Sequence, residues 1–295
     1  MKNVAVLLTN PARPALDPNT VQSAVEILRS GGATVGTPDW LCPEVACDIP
    51  FDGPAAGLGM TGIDAVVVPA ANRRKKLLVA DMESTMIENE MLDELAEYLG
   101  LREKISAITA RSMNGEIDFP TALAERVLLL KGLPTDKLAE AAARIRYMPG
   151  GATLVATMRK NGAYCALVSG GFTFYTAMVR KRLGFDIDQA NTLAEEGGAL
   201  AGFVVPPILD RDAKLATLKR FAAERGLALG DTAAVGDGAN DLAMLKSAEG
   251  AGGLGVAFHA KPAVAAQVSA RIDHGDLSAL LYLQGYRRQE FVEAT

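Results

Sequence analysis

Residues 77–81 read Leu-Leu-Val-Ala-Asp, and those four consecutive apolar positions constrain the fold more than any other feature. A short unbroken apolar run fits a strand covered on both faces, as in a parallel sheet flanked by helices. It stops at Asp81, with Glu83, Ser84 and Thr85 close behind. Carboxylates at the end of a dry strand are costly to desolvate unless a cation meets them. Either the strand emerges into solvent there, or its end is a site with a metal ion or a lysine.

The pattern after Leu77 supports a mostly parallel α/β sheet with helices on both faces. Strands are expected at 163–169, near Gln189–Leu193, at 232–236 and 253–258, and near Ala270–His274. Helices are expected at 172–184, 212–225 and 239–248, and a hairpin around Gly197 and Gly198. Between the first strand and the rest, residues 88–147 show helical periodicity in four segments, with Gly100, Gly115 and Gly132 as stops. Four short helices inserted there would form a cap over the carboxyl edge of the sheet, where ligands of such sheets bind.

Residues 1–72 read differently. A strand at 4–9, a helix at 17–32 with Asp17 as N-cap and Gly31-Gly32 as stop, and strands at 33–36, 44–51 and 63–70 suggest a small βαβββ sandwich. This order resembles a ferredoxin-like or ACT-like α+β domain whose second helix is shortened or lost. The basic run Asn72–Lys76 reads as a solvated linker. The expected organisation is therefore an N-terminal domain at 1–72, a core at 73–87 and 148–295, and a cap at 88–147.

With 30 basic and 35 acidic residues the net charge is −5, and aromatic residues make up 5% of the chain. Neither a nucleic-acid nor an anionic-membrane partner is expected from that balance. No stretch has the length of a signal-peptide core or a membrane span. Cys42, Cys47 and Cys165 are too few and wrongly spaced for a disulfide framework or a zinc site, so a reducing cytoplasmic setting is expected. His259 and His274 lack partner patterns and read as structural or surface residues.

Polar clusters fall at the expected strand ends: Asp81 to Thr85, Ser169-Gly170-Gly171, Lys214, and the stretch Gly236–Asp241. In this order they resemble the four motifs of the haloacid dehalogenase superfamily of phosphohydrolases. Over about residues 77–285, cap included, they are most similar to its phosphoserine-hydrolysing branch. The resemblance implies a Rossmann-like core and Mg²⁺-dependent hydrolysis of a small substrate, phosphoserine, as the last step of serine biosynthesis.

It also implies roles. Asp81 would be the nucleophile that carries the phosphoryl group. Mg²⁺ would bind Asp81, the Glu83 backbone carbonyl and Asp237, with Asp241 in the outer shell. Lys214 would supply further positive charge, and Ser169, Gly170, Gly171 and Asn240 would hold the phosphate or its partners. In the cap, Glu90 and Arg126 would hold the ammonium and carboxylate of the substrate, while Met113 and Phe119 shield it from water. A homodimer stays open.

This chain departs from the family at Glu83, where Asp is usual. The extra methylene shifts the carboxyl group by roughly 1–1.5 Å, yet the acid–base function remains available. Other readings stay open here: action on phosphothreonine or phosphohomoserine, phosphotransfer, or a catalytically idle amino-acid sensor. One methyl group is worth only ~1–3 kcal/mol of discrimination, so the sequence separates such substrates poorly.

Overall fold

The computed structural model describes residues 1–293 apart from 56, 114 and 115, without the side chains of Met113 and Arg211. The Gly115 stop and the Met113 side chain therefore lie outside the described residues.

The N-terminal residues fold as β1 (Asn3–Leu8), α1 (Pro18–Ser30), β2 (Thr34–Val35), β3 (Asp39–Cys42), β4 (Ala46–Asp52) and β5 (Asp64–Pro69). Strand order is β2-β4-β1-β5, with β3 on β4 and every pairing antiparallel. Asp17 caps α1 by accepting from the Thr20 N–H at 2.7 Å, and Gly32 leaves the helix at φ +88°. The expected strand order holds, with β3 in addition, and among the described residues no helix separates β4 from β5.

The core begins with β6 (Leu77–Ala80), all four residues fully buried. The cap follows as α2 (Met91–Glu97), α3 (Arg102–Met113), α4 (Phe119–Leu128) and α5 (Asp136–Ala142). Then come α6 (Gly151–Lys160), β7 (Tyr164–Phe172), α7 (Thr173–Leu183), β8 (Ile187–Glu196), β9 (Ala199–Val205) and α8 (Arg211–Glu224). The chain closes with β10 (Thr232–Gly236), α9 (Leu242–Gly250), β11 (Leu254–Phe258), α10 (Pro262–Ala265), β12 (Ala270–Ile272) and α11 (Ala279–Leu283).

These strands form one sheet in the order β12-β11-β10-β6-β7-β8-β9, parallel except for the β8–β9 hairpin. Gly197 and Gly198 turn that hairpin at φ +58° and +81°, conformations that glycine adopts without strain. Because β6 lies between β7 and β10, the connections leave it in opposite directions. Its carboxyl end is the switch point where α/β sheets open a crevice. Asp81 is the first residue in that crevice.

Two short chain segments tether the cap side by side. Ile87 bridges Tyr147, Glu88 N–H donates to the Arg146 carbonyl at 2.8 Å, and Met148 N–H donates to the Met86 carbonyl at 3.0 Å. The cap also bonds the hairpin, through Gly132 N–H to Leu200 O and Thr135 N–H to Gly198 O.

The helix α6 was not expected. It provides the crossover from β6 and the cap to the parallel strand β7, burying Leu154, Val155 and Met158. The basic run is likewise no solvated hinge. Arg73 pairs with Asp48 and donates to the carbonyls of Leu283 and Tyr282. Lys75 is buried and donates to the carbonyls of Asn72, Gly230 and Gly252. These cations satisfy backbone oxygens that burial removes from water. Among the described residues no helix is long and apolar enough to cross a membrane.

Candidate active site

Four of the expected residues meet at the end of β6. Lys214 is 1% exposed, and its ammonium donates to Asp81 Oδ1 at 2.5 Å and to Asp241 Oδ1 at 2.7 Å. Asp81, Asp237 and Asp241 are all buried and can place one oxygen each within 4.8 Å of one another. Each arrives by a different route: Asp81 on β6, Asp237 just beyond β10, Asp241 at the start of α9, and Lys214 in the first turn of α8. Asp210 sets the start of α8 by accepting from the N–H groups of Asp212 and Ala213.

Glycine makes the convergence on β10 possible. A Cβ on Gly236 would lie 2.3 Å from the Asp241 carboxyl carbon, so that side chain fills the space a larger residue would need. Asp241 Oδ2 accepts from the Gly238 N–H at 3.1 Å. With Oδ1 on Lys214, both Asp241 oxygens are engaged by the protein, which suits an outer position around an ion better than a direct one.

The charge balance here is lopsided. Burial pushes the Asp81 carboxyl up to about 8, and the Asp241 carboxylate adds to this, while Lys214 pulls the other way. Asp237 is raised to about 6, chiefly by burial, with Lys261 opposing from 3.6 Å. Burial by itself would lower Lys214, but Asp241 and Asp81 hold it above the ordinary lysine range. Three buried carboxylates face one buried ammonium. A hard divalent cation with oxygen preference fits that donor set and would restore the balance.

Glu83 lies beside this cluster. Its Oε1 accepts from the Met91 N–H at the start of α2, 2.8 Å away. Burial, and next the Glu90 carboxylate, raise its pKa to about 8. Glu90 stands at the N-cap position of α2, and its Oε1 accepts from the Ser84 hydroxyl at 2.7 Å. Arg126, on α4, donates to the Ala122 carbonyl and the Thr109 hydroxyl. Burial lowers its pKa, opposed by the carboxylates of Glu83, Asp93 and Glu90. An arginine and three acids thus share the space between cap and core.

Ser169, Gly170 and Gly171 lie within β7, where the Gly171 N–H donates to Ser169 Oγ at 2.9 Å. A Cβ on Gly171 would sit 2.8 Å from Glu83 Oε2, and one on Gly170 would sit 3.2 Å from the Phe119 ring. Phe119, the first residue of α4, therefore covers Gly170 from the cap side. Asn240 was expected to hold the phosphate or its partners, Asp237 and Lys214 among them. Among the described residues it bonds neither; its Oδ1 instead lies over Gly238. The buried Thr85 hydroxyl has no hydrogen-bond partner among the described residues. Sequence reasoning passed over Lys261, Asp93 and Asn191. Lys261 follows a strand end, a signal that could have found it.

A Rossmann-like sheet with a helical cap after its first strand and an Asp–Lys–Asp cluster at the switch point defines a hydrolase class. Residues 78–246 match the family model of the haloacid dehalogenase-like hydrolases, and the chain belongs to that family. The relatives narrow the comparison to phosphoserine phosphatases. One from Lactococcus lactis is 44% identical over 70% of this chain and 94% of its own. Another from Streptomyces coelicolor is 42% identical over 79% of this chain and 56% of its own. A solved structure described as a phospho-aspartyl intermediate analogue of phosphoserine phosphatase superposes with a TM-score of 0.65. It is 38% identical over 71% of this chain and 98% of that one. The chain spans about half the length of several curated relatives it matches.

Proposed function

We propose that this chain hydrolyses O-phosphoserine to serine and phosphate by way of an aspartyl-phosphate on Asp81. The observation that carries the reading is the Lys214 ammonium joining Asp81 to Asp241 beside Asp237. A phosphate monoester repels an anionic nucleophile, and only a site with concentrated positive charge lets a carboxylate approach. The names of the relatives support the substrate.

Asp81, Asp237 and the Glu83 carbonyl would hold Mg²⁺, with Asp241 in its outer shell. When bound, the ion supplies the charge neutralisation that one ammonium cannot. Asp81, held by Lys214, forms a bond to phosphorus as the phosphorus–oxygen bond to serine breaks. Glu83, whose pKa burial raises, gives its proton to the departing alkoxide. As a carboxylate it then takes a proton from water, whose oxygen attacks phosphorus and frees Asp81. Ser169, Gly170 and Gly171 hold the phosphate oxygens. Glu90 receives the substrate ammonium and Arg126 its carboxylate, the latter through a fork suited to two oxygens. Phe119 keeps bulk water from the phosphate.

Phosphate release from L- and D-phosphoserine, phosphothreonine and p-nitrophenyl phosphate, with and without Mg²⁺, tests the reading. Phosphoserine should be the best substrate, only with the metal, and Asp81→Asn should be inert. An Asp81→Asn protein as fast as the parent would overturn the mechanism.

A further inference from the structure

The turn that faces the phosphate is a disruption in a strand, and something must hold it open. On β7, Val168 pairs with Gln189 and Phe172 pairs with Asn191. Three residues on β7 therefore oppose one on β8. Ser169, Gly170 and Gly171 bulge out of the ladder, which re-aims their backbone toward the crevice. A bulge also strands backbone groups that the ladder would have bonded, and buried carbonyls seldom go without a partner.

Asn191 supplies that partner. Its side chain is 1% exposed, and Nδ2 donates to the Gly170 carbonyl at 2.8 Å. The same amide donates to the Leu209 carbonyl at 3.2 Å, while Oδ1 accepts from the Leu209 N–H at 2.7 Å. Leu209 immediately precedes Asp210, the cap of the helix that carries Lys214. One buried amide thus ties the bulge to the lead-in of the lysine helix.

We infer that Asn191 is a positioning residue, setting the 169–171 turn and the Lys214 helix against each other so that both address one phosphate. This rests on the proposed reading of 169–171 as the phosphate cradle. It needs an amide: a carboxylate would oppose two carbonyl oxygens, and an aliphatic side chain would leave three part-buried polar groups without their partner.

The test uses the full chain with Mg²⁺ and two variants, Asn191→Leu and the milder Asn191→Ser, whose hydroxyl stops an atom short. Gln284→Leu serves as control, since Gln284 is equally buried and bonded but bridges Lys75 and Leu280. Inorganic phosphate binding by calorimetry, kinetics on phosphoserine and the melting temperature are measured together. The cradle grips phosphate in the ground state as well as the transition state, so KM should rise more than kcat falls. Losing one or two such bonds should weaken phosphate binding and raise KM by roughly tenfold or more in the Leu variant. The Gln284 variant should melt earlier with both constants unchanged. If Asn191→Leu fails to fold, Asn191→Ser carries the comparison.

Asn191 variants that melt earlier yet bind phosphate and phosphoserine like the parent would overturn the inference while leaving the proposed function intact. A parent that binds phosphate in an Asn191-dependent way but does not turn over phosphoserine would overturn the function alone. A parent that neither binds phosphate nor hydrolyses the ester would overturn both.

Discussion

Replacing Glu83 by Gln isolates proton transfer from binding. The amide keeps the length of the side chain, so its oxygen can still accept from the Met91 N–H now held at 2.8 Å. What it loses is the ability to give up a proton. General acid–base groups contribute about 10²–10⁴-fold in rate, or ~3–5 kcal/mol of barrier at 1.36 kcal/mol per decade. The serine alkoxide is a poor leaving group and needs the full contribution. The phenolate of p-nitrophenyl phosphate departs without a proton, so its transfer to Asp81 should be almost unaffected. The second half-reaction still needs a base for water, so the aspartyl-phosphate should accumulate. Rapid-mixing measurements on Glu83→Gln should therefore give a burst of nitrophenolate of about one equivalent per enzyme, followed by slow turnover. With phosphoserine, serine release should lose roughly the full 10²–10⁴ with no burst. An equal loss on both esters in the first turnover would refute the assignment, because then Glu83 acts on the phosphate or on Asp81 and not on the leaving group.

Arg126→Ala should cut kcat/KM for phosphoserine by roughly a hundredfold, the worth of a desolvated charge-assisted pair, and that for p-nitrophenyl phosphate by under about threefold; comparing the two esters checks this. Gly171→Ala would bring a methyl group to 2.8 Å from Glu83 Oε2, so kcat should fall about tenfold or more, with little change in the thermal melt. Asp237→Asn should raise the Mg²⁺ concentration needed for half-maximal activity, and the calorimetric Kd for Mg²⁺, by at least roughly tenfold. Arg73→Ala leaves buried Asp48 without its cation, so urea unfolding should show a loss of about 3 kcal/mol while kcat of the folded protein stays at the parent value.

What the sequence displayed was what depends on neighbours in the chain. The β6 run could be read because burial on both faces demands consecutive apolar residues, and the cap helices because their periodicity is local. Asp237 and Asp241 stood out because a strand, a glycine turn and a helix start follow each other within ten residues. The basic run was misread for the opposite reason. Apart from the Asn72 carbonyl, the partners of Arg73 and Lys75 are Asp48 and the carbonyls at 282, 283, 230 and 252, and nothing near residue 73 announces these distant ones. Asn191 was hidden in the same way, since its purpose exists only once β7 bulges against β8. β3 is a four-residue edge strand that begins with an exposed Asp39, a pattern that turns and strands share. α6 could have been found, because parallel strands with β6 and β7 adjacent require a covering crossover.

The N-terminal sheet is part of how the core is built. The helix α11 reads Ala-Leu-Leu-Tyr-Leu with every residue buried, so it has no face to give to water and must be covered all round. α6 lies on one side of it. β1 also packs against it, and Val4, Val6 and Leu8 of β1 with Val66 and Val68 of β5 belong to one apolar cluster continuous with the core. Polar contacts pin the same junction. The buried Asp64 carboxylate accepts from the N–H groups of Asp273, His274 and Gly275. The Gly275 carbonyl in turn accepts from His259 Nε2 at 2.8 Å, and two residues beyond His259 the Lys261 N–H donates to the Asp237 carbonyl at 3.1 Å. A chain of hydrogen bonds thus runs from β5 to the backbone of Asp237. The apolar residues of β1 and β5 are therefore already covered by the core that carries the site.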